Sequence, residues 1–340
     1  MRQTYTFDDV LLVPRYSEIE SRSQVSLSTA LDKNITLGLP LISSPMDTVT
    51  ETAMVVALDS SGALGVVHRY NTPTEQAGIV SKAYASGAQN IAAAIGMTGD
   101  YMIRAEELAK AGANVLCVDV AHGHHHMMKT CLASLKNAFS DDLHIMAGNV
   151  ATLDAFEQLS DWGADSVRVG IGGGSICSTR IVTGHGVPTL QSIFDISRTT
   201  YETKIIADGG IKTSGDMVKA LAAGADFVMV GSMLAGTTES PGETLRDNSG
   251  KRYKVYRGMA SSEAQRDWRG KSSTPEGVAT TIPYKGHVAD VIQDIDGGIR
   301  SGLSYTGVTS LEQLRSRCEF VVQTQAGQHE SNTHILWRSK

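Results

Sequence analysis

Eight short runs of apolar and β-branched residues punctuate the first two thirds of the chain: LPLISSP at 39–45, LGVVHR at 64–69, NIAAAIG at 90–96, VLCVDVA at 115–121, HIMAGNV at 144–150, SVRVGI at 166–171, IIADGG at 205–210 and FVMVGS at 227–232. Their apolar stretches are continuous rather than alternating, which suits parallel strands buried on both faces. The segments between them, such as 50–63, 99–113 and 213–225, carry apolar residues three and four apart and then a glycine, the pattern of helices with C-terminal glycine caps. Eight such units predict an α/β fold of the (β/α)8 TIM-barrel type; a doubly wound sheet is the weaker alternative, because it seldom needs eight equal repeats. A polar, Gly/Ser-rich stretch at 257–286 comes after them. It reads as a flap over about 257–283 belonging to one catalytic domain, 1–323, with 324–340 as a C-terminal tail.

A barrel of this kind does its chemistry just after each strand. The strand ends would present Met46 and Asp47, His68 and Arg69, Gly96 and Met97, Asp119 and His122, Gly148 and Asn149, a loop containing Cys177, Asp208 with Gly209 and Gly210, and Gly231 with Ser232. Some of the glycines serve as ordinary turns. The acids, the amide, the histidines and the cysteine are too many for turns alone.

Composition narrows the class. The 340 residues are 41% hydrophobic and 19% charged with a net charge of −6, ordinary for a soluble enzyme and without a basic footprint for nucleic acid. No run reaches the roughly 18–20 apolar residues of a membrane span, and the N-terminal MRQTYTFDDVLLVPRY lacks the apolar core of a secretory signal, so the reading is cytoplasmic and not membrane-bound. Cysteines 117, 131, 177 and 318 form no CxxC pair and read as reduced thiols. The glycine-bearing IIADGGI and FVMVGS loops lie at the ends of the seventh and eighth runs, where barrels commonly hold a phosphate by backbone N–H groups. Asp208 beside them is either a ribose acceptor or a helix-cap or turn aspartate. In DVAHGHHHMM, 119–128, adjacent histidines would point in different directions on a helix. Only His122 and His126 share a face and no third ligand is evident, so polar lining of a cofactor pocket is preferred to a metal site.

The loop GIGGGSICSTR, 170–180, surrounds Cys177 with glycines. A free cysteine is ordinarily buried and inert. Glycines strip away shielding side chains and allow close backbone approach, which points instead to a presented thiol.

Several motifs, taken in order, resemble the IMP dehydrogenase and GMP reductase family: FDDVLLVP (7–14), SSPMDTVTE (43–51), GALGVVHR (62–69), GIGGGSICSTR (170–180), ADGGI (207–211), FVMVGSMLAGTTESPGE (227–243), YRGMAS (256–261) and YKG (284–286). The resemblance spans residues 7 to about 318. It implies a (β/α)8 barrel, usually tetrameric, in which Cys177 adds to C2 of a purine nucleoside monophosphate, with Thr179 near the same carbon. It further implies that Ser175, Asp208, Gly210, Gly231, Ser232 and Tyr256 hold phosphate and ribose, that Gly258, Met259 and Glu276 line the purine, and that Asp119, His122 and Asn149 face a nicotinamide cofactor. Carbonyls of Gly172, Gly174 and Cys177 would ligate a monovalent cation such as potassium; Gly173 stands where the family usually has proline. A thiolate nucleophile fits this role, because covalent attack at an electron-poor carbon sets up exchange of either hydride or ammonia.

The two branches of the family differ in the chemistry after this attack. A dehydrogenase oxidises IMP with NAD and must activate a water, typically through an Arg-Tyr pair on a long flap, and it often carries a regulatory insertion. Here only one helix's worth of chain separates His68 from Asn90, and the residues between Met259 and Glu276 hold Arg266, Asp267, Trp268 and Arg269 but no Arg-Tyr pair. The short flap resembles that of a reductase, which expels ammonia from GMP and takes hydride from NADPH. By resemblance a flap glutamate partners the threonine, and Glu263 suits that proton transfer. Strict register from Met259 places the reductase glutamate on Ser262, one position earlier. DVAHGH and MDTVTE look more like the dehydrogenase branch. Reductase is the preferred reading, dehydrogenase the alternative, and a nucleotide-binding protein without turnover or a flavin enzyme on the same barrel the remaining ones.

Overall fold

The computed structural model describes residues 1–331 and 333. Its eight barrel strands coincide with the eight apolar runs: β1 (Leu41–Ser43), β2 (Gly65–Val67), β3 (Ile91–Ile95), β4 (Val115–Asp119), β5 (His144–Val150), β6 (Ser166–Val169), β7 (Lys204–Asp208) and β8 (Phe227–Val230). All neighbouring pairs from β2 round to β8 and back to β1 are parallel. The ring closes between β1 and β2 through Leu64, whose N–H donates to Leu41 O at 3.0 Å and whose carbonyl accepts from Ser43 N–H at 2.9 Å.

The helices are α1 (Thr52–Ser60), α2 (Pro73–Ala85), α3 (Tyr101–Ala111), α4 (His126–Phe139), α5 (Leu153–Asp161), α6 (Thr179–Thr183), α7 (Thr189–Ile196), α8 (Ser214–Ala223), α9 (Ser262–Arg269), α10 (Val288–Thr306), α11 (Leu311–Arg317) and α12 (Gln325–Glu330). Local sequence explains their ends. Thr72 and Glu75 close a capping box ahead of Pro73 in α2, Thr213 and Asp216 do the same for α8, and Gly112 takes the left-handed conformation that stops α3.

Each strand alternates between two apolar layers. Ala93, Ile95, Leu116 and Val118 face the helices, whereas Ala92, Ala94, Val115, Cys117, Met146, Ile206, Phe227 and Met229 fill the barrel. A hairpin formed by Thr29–Ala30 and Thr36–Leu37 adds Leu31, Ile35 and Leu37 to the interior. It is fastened where β5 and β6 begin: His144 bonds Asp32 Oδ2 and Ser166 Oγ, each at 2.8 Å. Burial raises the Asp32 pKa, but bonds from His144 and from the backbone N–H groups of Asn34 and Ile35 outweigh it and hold the carboxyl at about 2.

The flap is more ordered than its composition predicts. Strands β9 (Leu245–Arg246), β10 (Arg252–Arg257) and β11 (Ala279–Pro283) form an antiparallel sheet, and α9 sits between β10 and β11. In α9 only Ala264 and Gln265 are buried, which leaves the sequence no apolar stripe to reveal it. At the other end of the chain Phe320–Val322 pairs with Val10–Leu12. The expected tail opens with α12, capped by Thr324; its residues 334–340 lie outside the described residues. Among the described residues no helix is long and apolar enough to cross a membrane.

Candidate active site

A cavity of about 750 Å³ lies where the strand ends, the cysteine loop and the flap meet. The loop after β6 is pressed against the end of β7: a Cβ on Gly170 would stand 1.8 Å from Asp208 O, so only glycine fits. Beyond it Cys177 is half-buried and faces the cavity. Its thiol donates to Thr179 Oγ1 at 3.2 Å, and Thr179 Oγ1 donates to Glu276 Oε2 at 2.8 Å. The flap segment carrying Glu276 is laced to the loop, since Ser178 N–H donates to Glu276 O and Val278 N–H to Ile176 O, both at 3.0 Å. The other thiols lie elsewhere: burial pushes Cys117 up to about 11 and Cys131 up to about 12.

A row of alternating charges crosses the barrel mouth. Arg168 donates to Asp119 Oδ1 at 2.6 Å and to Asp208 Oδ2 at 2.9 Å. Burial opposes the Arg168 charge, but Cys117, Asp208 and Asp119 beside it keep the guanidinium protonated well above the usual arginine range. Arg69 extends the row, its Nε 3.8 Å from Asp119 Oδ2. Asn149 Nδ2 donates to Gly170 O (2.9 Å) and Asp208 Oδ2 (2.8 Å). Buried Arg69 Nε, Asn149 Oδ1 and Thr189 Oγ1, all in residues lining the cavity, have no hydrogen-bond partner. Buried polar atoms are normally paired, so these three are exceptions concentrated at the cavity wall.

The flap is held down over this row. Arg257 pairs with Asp47 at the end of β1 and with Asp267 on α9. Trp268 packs edge-on to Tyr70 at 5.1 Å, and the Arg69 guanidinium lies 5.4 Å from the Trp268 ring centre. Tyr256 is buried and lines the cavity with Ser175 and Ser232, and burial raises its pKa.

The cavity brings together Cys177, Thr179, Ser175, Asp208, Gly210, Gly231, Ser232, Tyr256, Gly258, Met259, Glu276, Asp119, Asn149, Gly172 and Gly174. Of the strand-end residues, Asp47, His68, Gly96, Met97 and Gly148 do not line it, and of the residues given a catalytic, substrate or cofactor role from sequence, Glu263 and His122 fall outside it. Glu263 is exposed in the first turn of α9, because the helix turns Gln265 and Trp268 toward the cavity and its opposite face to solvent; the carboxylate that reaches Thr179 is that of Glu276. His122 is exposed beyond Ala121. Of its neighbours, His125 caps α4 and His124 bonds Gln158, and no group of three potential metal-ligating acids, histidines or cysteines occurs among the described residues. At the expected cation position Gly174 O accepts from Cys177 N–H at 3.1 Å. Arg180 packs on Gly172, donating to Ile171 O and Val187 O.

Arg168, Tyr70 and Trp268 join the site without a role in the sequence motifs. A charged residue inside the otherwise apolar SVRVGI is a usable signal for Arg168. Nothing local marks the other two.

A family model described as IMP dehydrogenase / GMP reductase domain matches residues 4–334. An inosine-5'-monophosphate dehydrogenase of Nitrosopumilus maritimus is 35% identical, covering 98% of both chains. That alignment runs over 470 positions against 340 residues, so the relative carries sequence this chain lacks. A GMP reductase of Leishmania major is 32% identical, covering 97% of this chain and 96% of its own. A solved GMP reductase from Trypanosoma brucei, in complex with guanosine 5'-monophosphate, superposes with a TM-score of 0.93 at 30% identity over 98% of each chain. The chain belongs to the IMP dehydrogenase / GMP reductase family, whose members are NAD(P)-dependent oxidoreductases acting on purine nucleotides.

Proposed function

We propose that the protein is a GMP reductase, converting GMP to IMP and ammonia with NADPH as reductant. The observation that carries this reading is the hydrogen-bonded row Cys177, Thr179, Glu276 under a flap with no Arg-Tyr pair between Met259 and Glu276. The row runs donor to acceptor from thiol to hydroxyl to carboxylate, so Glu276 can take the thiol proton through Thr179 as Cys177 Sγ bonds to purine C2 and the C2=N3 π pair moves onto N3, from where it later returns to expel the 2-amino group. The same two residues then return a proton to the 2-amino group, which leaves as ammonia with the C–N bonding pair. The purine remains bonded to Cys177 through C2. NADPH, when bound, would supply a hydride to C2, and return of the N3 pair to reform C2=N3 would then release Cys177 as the thiolate. Arg69, Asp119 and Asn149 would hold that cofactor, and the unpaired Arg69 Nε and Asn149 Oδ1 fit a group that both accepts and donates hydrogen bonds. The Gly210 and Gly231–Ser232 loops with Tyr256 would hold the phosphate, and Asp208 the ribose. The family resemblance adds a homotetramer in the cytoplasm and a monovalent cation on the carbonyls of Gly172, Gly174 and Cys177.

A second reading, IMP dehydrogenase, is favoured by relatives of that name, including one of Cryptosporidium parvum at 38% identity. In it the same row would accept a proton from water. Nicotinamide absorbance separates the two. Loss with GMP and NADPH supports the reductase; a rise with IMP and NAD and no change in the first mixture overturns it.

A further inference from the structure

Lys285 holds the turn after β8 from outside the cavity. Its ammonium donates to Ser232 O at 2.5 Å and to Met233 O at 3.0 Å, while Gly231 and Ser232 of the same turn line the cavity. Leu234 N–H, which shares a peptide with the Met233 carbonyl, donates to Gly231 O at 3.1 Å, so the carbonyls of Gly231, Ser232 and Met233 are all tied. The lysine thereby fixes the orientation of the turn.

Lys285 is also part of the flap. It stands two residues beyond β11, and its own N–H donates to Gly236 O at 2.9 Å. The other limb, β10, supplies Tyr256, whose hydroxyl would stand 3.1 Å from a Cβ on Gly231 and so borders the turn; β10 and β11 are paired in register, Tyr256 opposite Thr280. The turn is therefore flanked by both limbs of the flap hairpin. Upstream of β11 the same limb carries Gly277 and Val278, laced to the cysteine loop, and Glu276, bonded to Thr179. Ten residues of continuous backbone, 276–285, join the turn to the row that includes Cys177.

We propose that Lys285 is a positioning residue that couples phosphate occupancy of the Gly231–Ser232 turn to seating of Glu276 on Thr179. This rests on the reading above that the turn receives the nucleotide's phosphate. Binding free energy from a phosphate remote from C2 is then used to close the flap and align the proton-transfer row, which is how non-reacting parts of a substrate contribute to turnover.

The test is hydrogen–deuterium exchange at the amides of Ser178 and Val278, which lace flap to loop, in the full-length protein saturated with GMP or with guanosine, binding of each being monitored by calorimetry. GMP should slow exchange at both amides and guanosine should not, a comparison needing no variant. Lys285→Met saturated with GMP should lose the protection, and Lys285→Arg, which keeps a cation and donors, should retain it. Lys254→Met is the control, since Lys254 likewise donates to carbonyls, those of Thr238 and Ser240, but does not touch the Ser232 turn. It should keep the protection. Equal protection by GMP and guanosine, or full protection in Lys285→Met, overturns the coupling. Failure of both GMP and IMP to bind overturns the functional reading instead, and the coupling with it.

Discussion

Thr179 stands between Cys177 and Glu276, accepting from the thiol at 3.2 Å and donating to the carboxylate at 2.8 Å. A hydroxyl so placed can pass a proton either way without moving. Thr179→Val keeps the shape and removes both bonds, and should lower kcat by about 10²–10³, in the range of lost general acid–base catalysis. Cys177→Ala should abolish turnover altogether. A Thr179→Val enzyme with wild-type kcat would remove the row from the mechanism.

The two candidate glutamates give opposite expectations. Glu276→Gln leaves a side chain of the same size that takes no proton, and kcat should fall by about 10²–10⁴. Glu263→Gln, on the exposed face of α9, should leave kcat within about twofold, as surface changes generally do. Reversal of these results would return the proton transfer to Glu263.

Arg168 is buried between Asp119 and Asp208 and bonds both. Arg168→Met leaves two carboxylates facing each other without their cation, which should cost about 3–5 kcal/mol of stability, the usual penalty for breaking a buried ion pair. Denaturant unfolding reads this directly. A loss under about 1 kcal/mol would mean that water neutralises the pair.

The barrel was legible because parallel strands buried on both faces write themselves as uninterrupted apolar runs, and all eight were read within a few residues. The cysteine loop was legible for a local reason as well, its glycines. The Thr179 to Glu276 bond was not: it joins residues 97 apart, and only the path of the flap decides which glutamate arrives. Counting from Met259 points to Ser262 and the neighbouring carboxylate to Glu263, but α9 rotates Glu263 outward. Trp268 on Tyr70 escaped for the same reason, being a contact between a polar helix and the end of a distant strand.

That contact fixes the flap. An edge-to-face aromatic pair contributes about 0.5–1.5 kcal/mol, so Trp268→Ala should shift flap closure by roughly threefold to tenfold. Limited proteolysis within 262–275 should accelerate accordingly, and kcat should fall. Unchanged cleavage would show that the Arg257 pairs with Asp47 and Asp267 suffice.

Acid should loosen the hairpin beneath the barrel. The Asp32 carboxyl lies at about 2 in the folded protein against 3.8 ordinarily, so on acidification the unfolded chain binds this proton first. Its stabilising contribution is present above about pH 4 and is lost as the pH falls through the interval down to about 2. Asp32→Asn should therefore flatten the fall in melting temperature over that interval. A variant with the wild-type profile would assign the acid sensitivity elsewhere.

Reductive deamination through Cys177 is read out by the ammonia formed per NADPH consumed when purified protein is given GMP. One ammonia and one IMP are expected for each NADPH, with none from the Cys177→Ala variant. No ammonia from GMP and NADPH, together with XMP formed from IMP and NAD, would contradict it and make the protein a dehydrogenase.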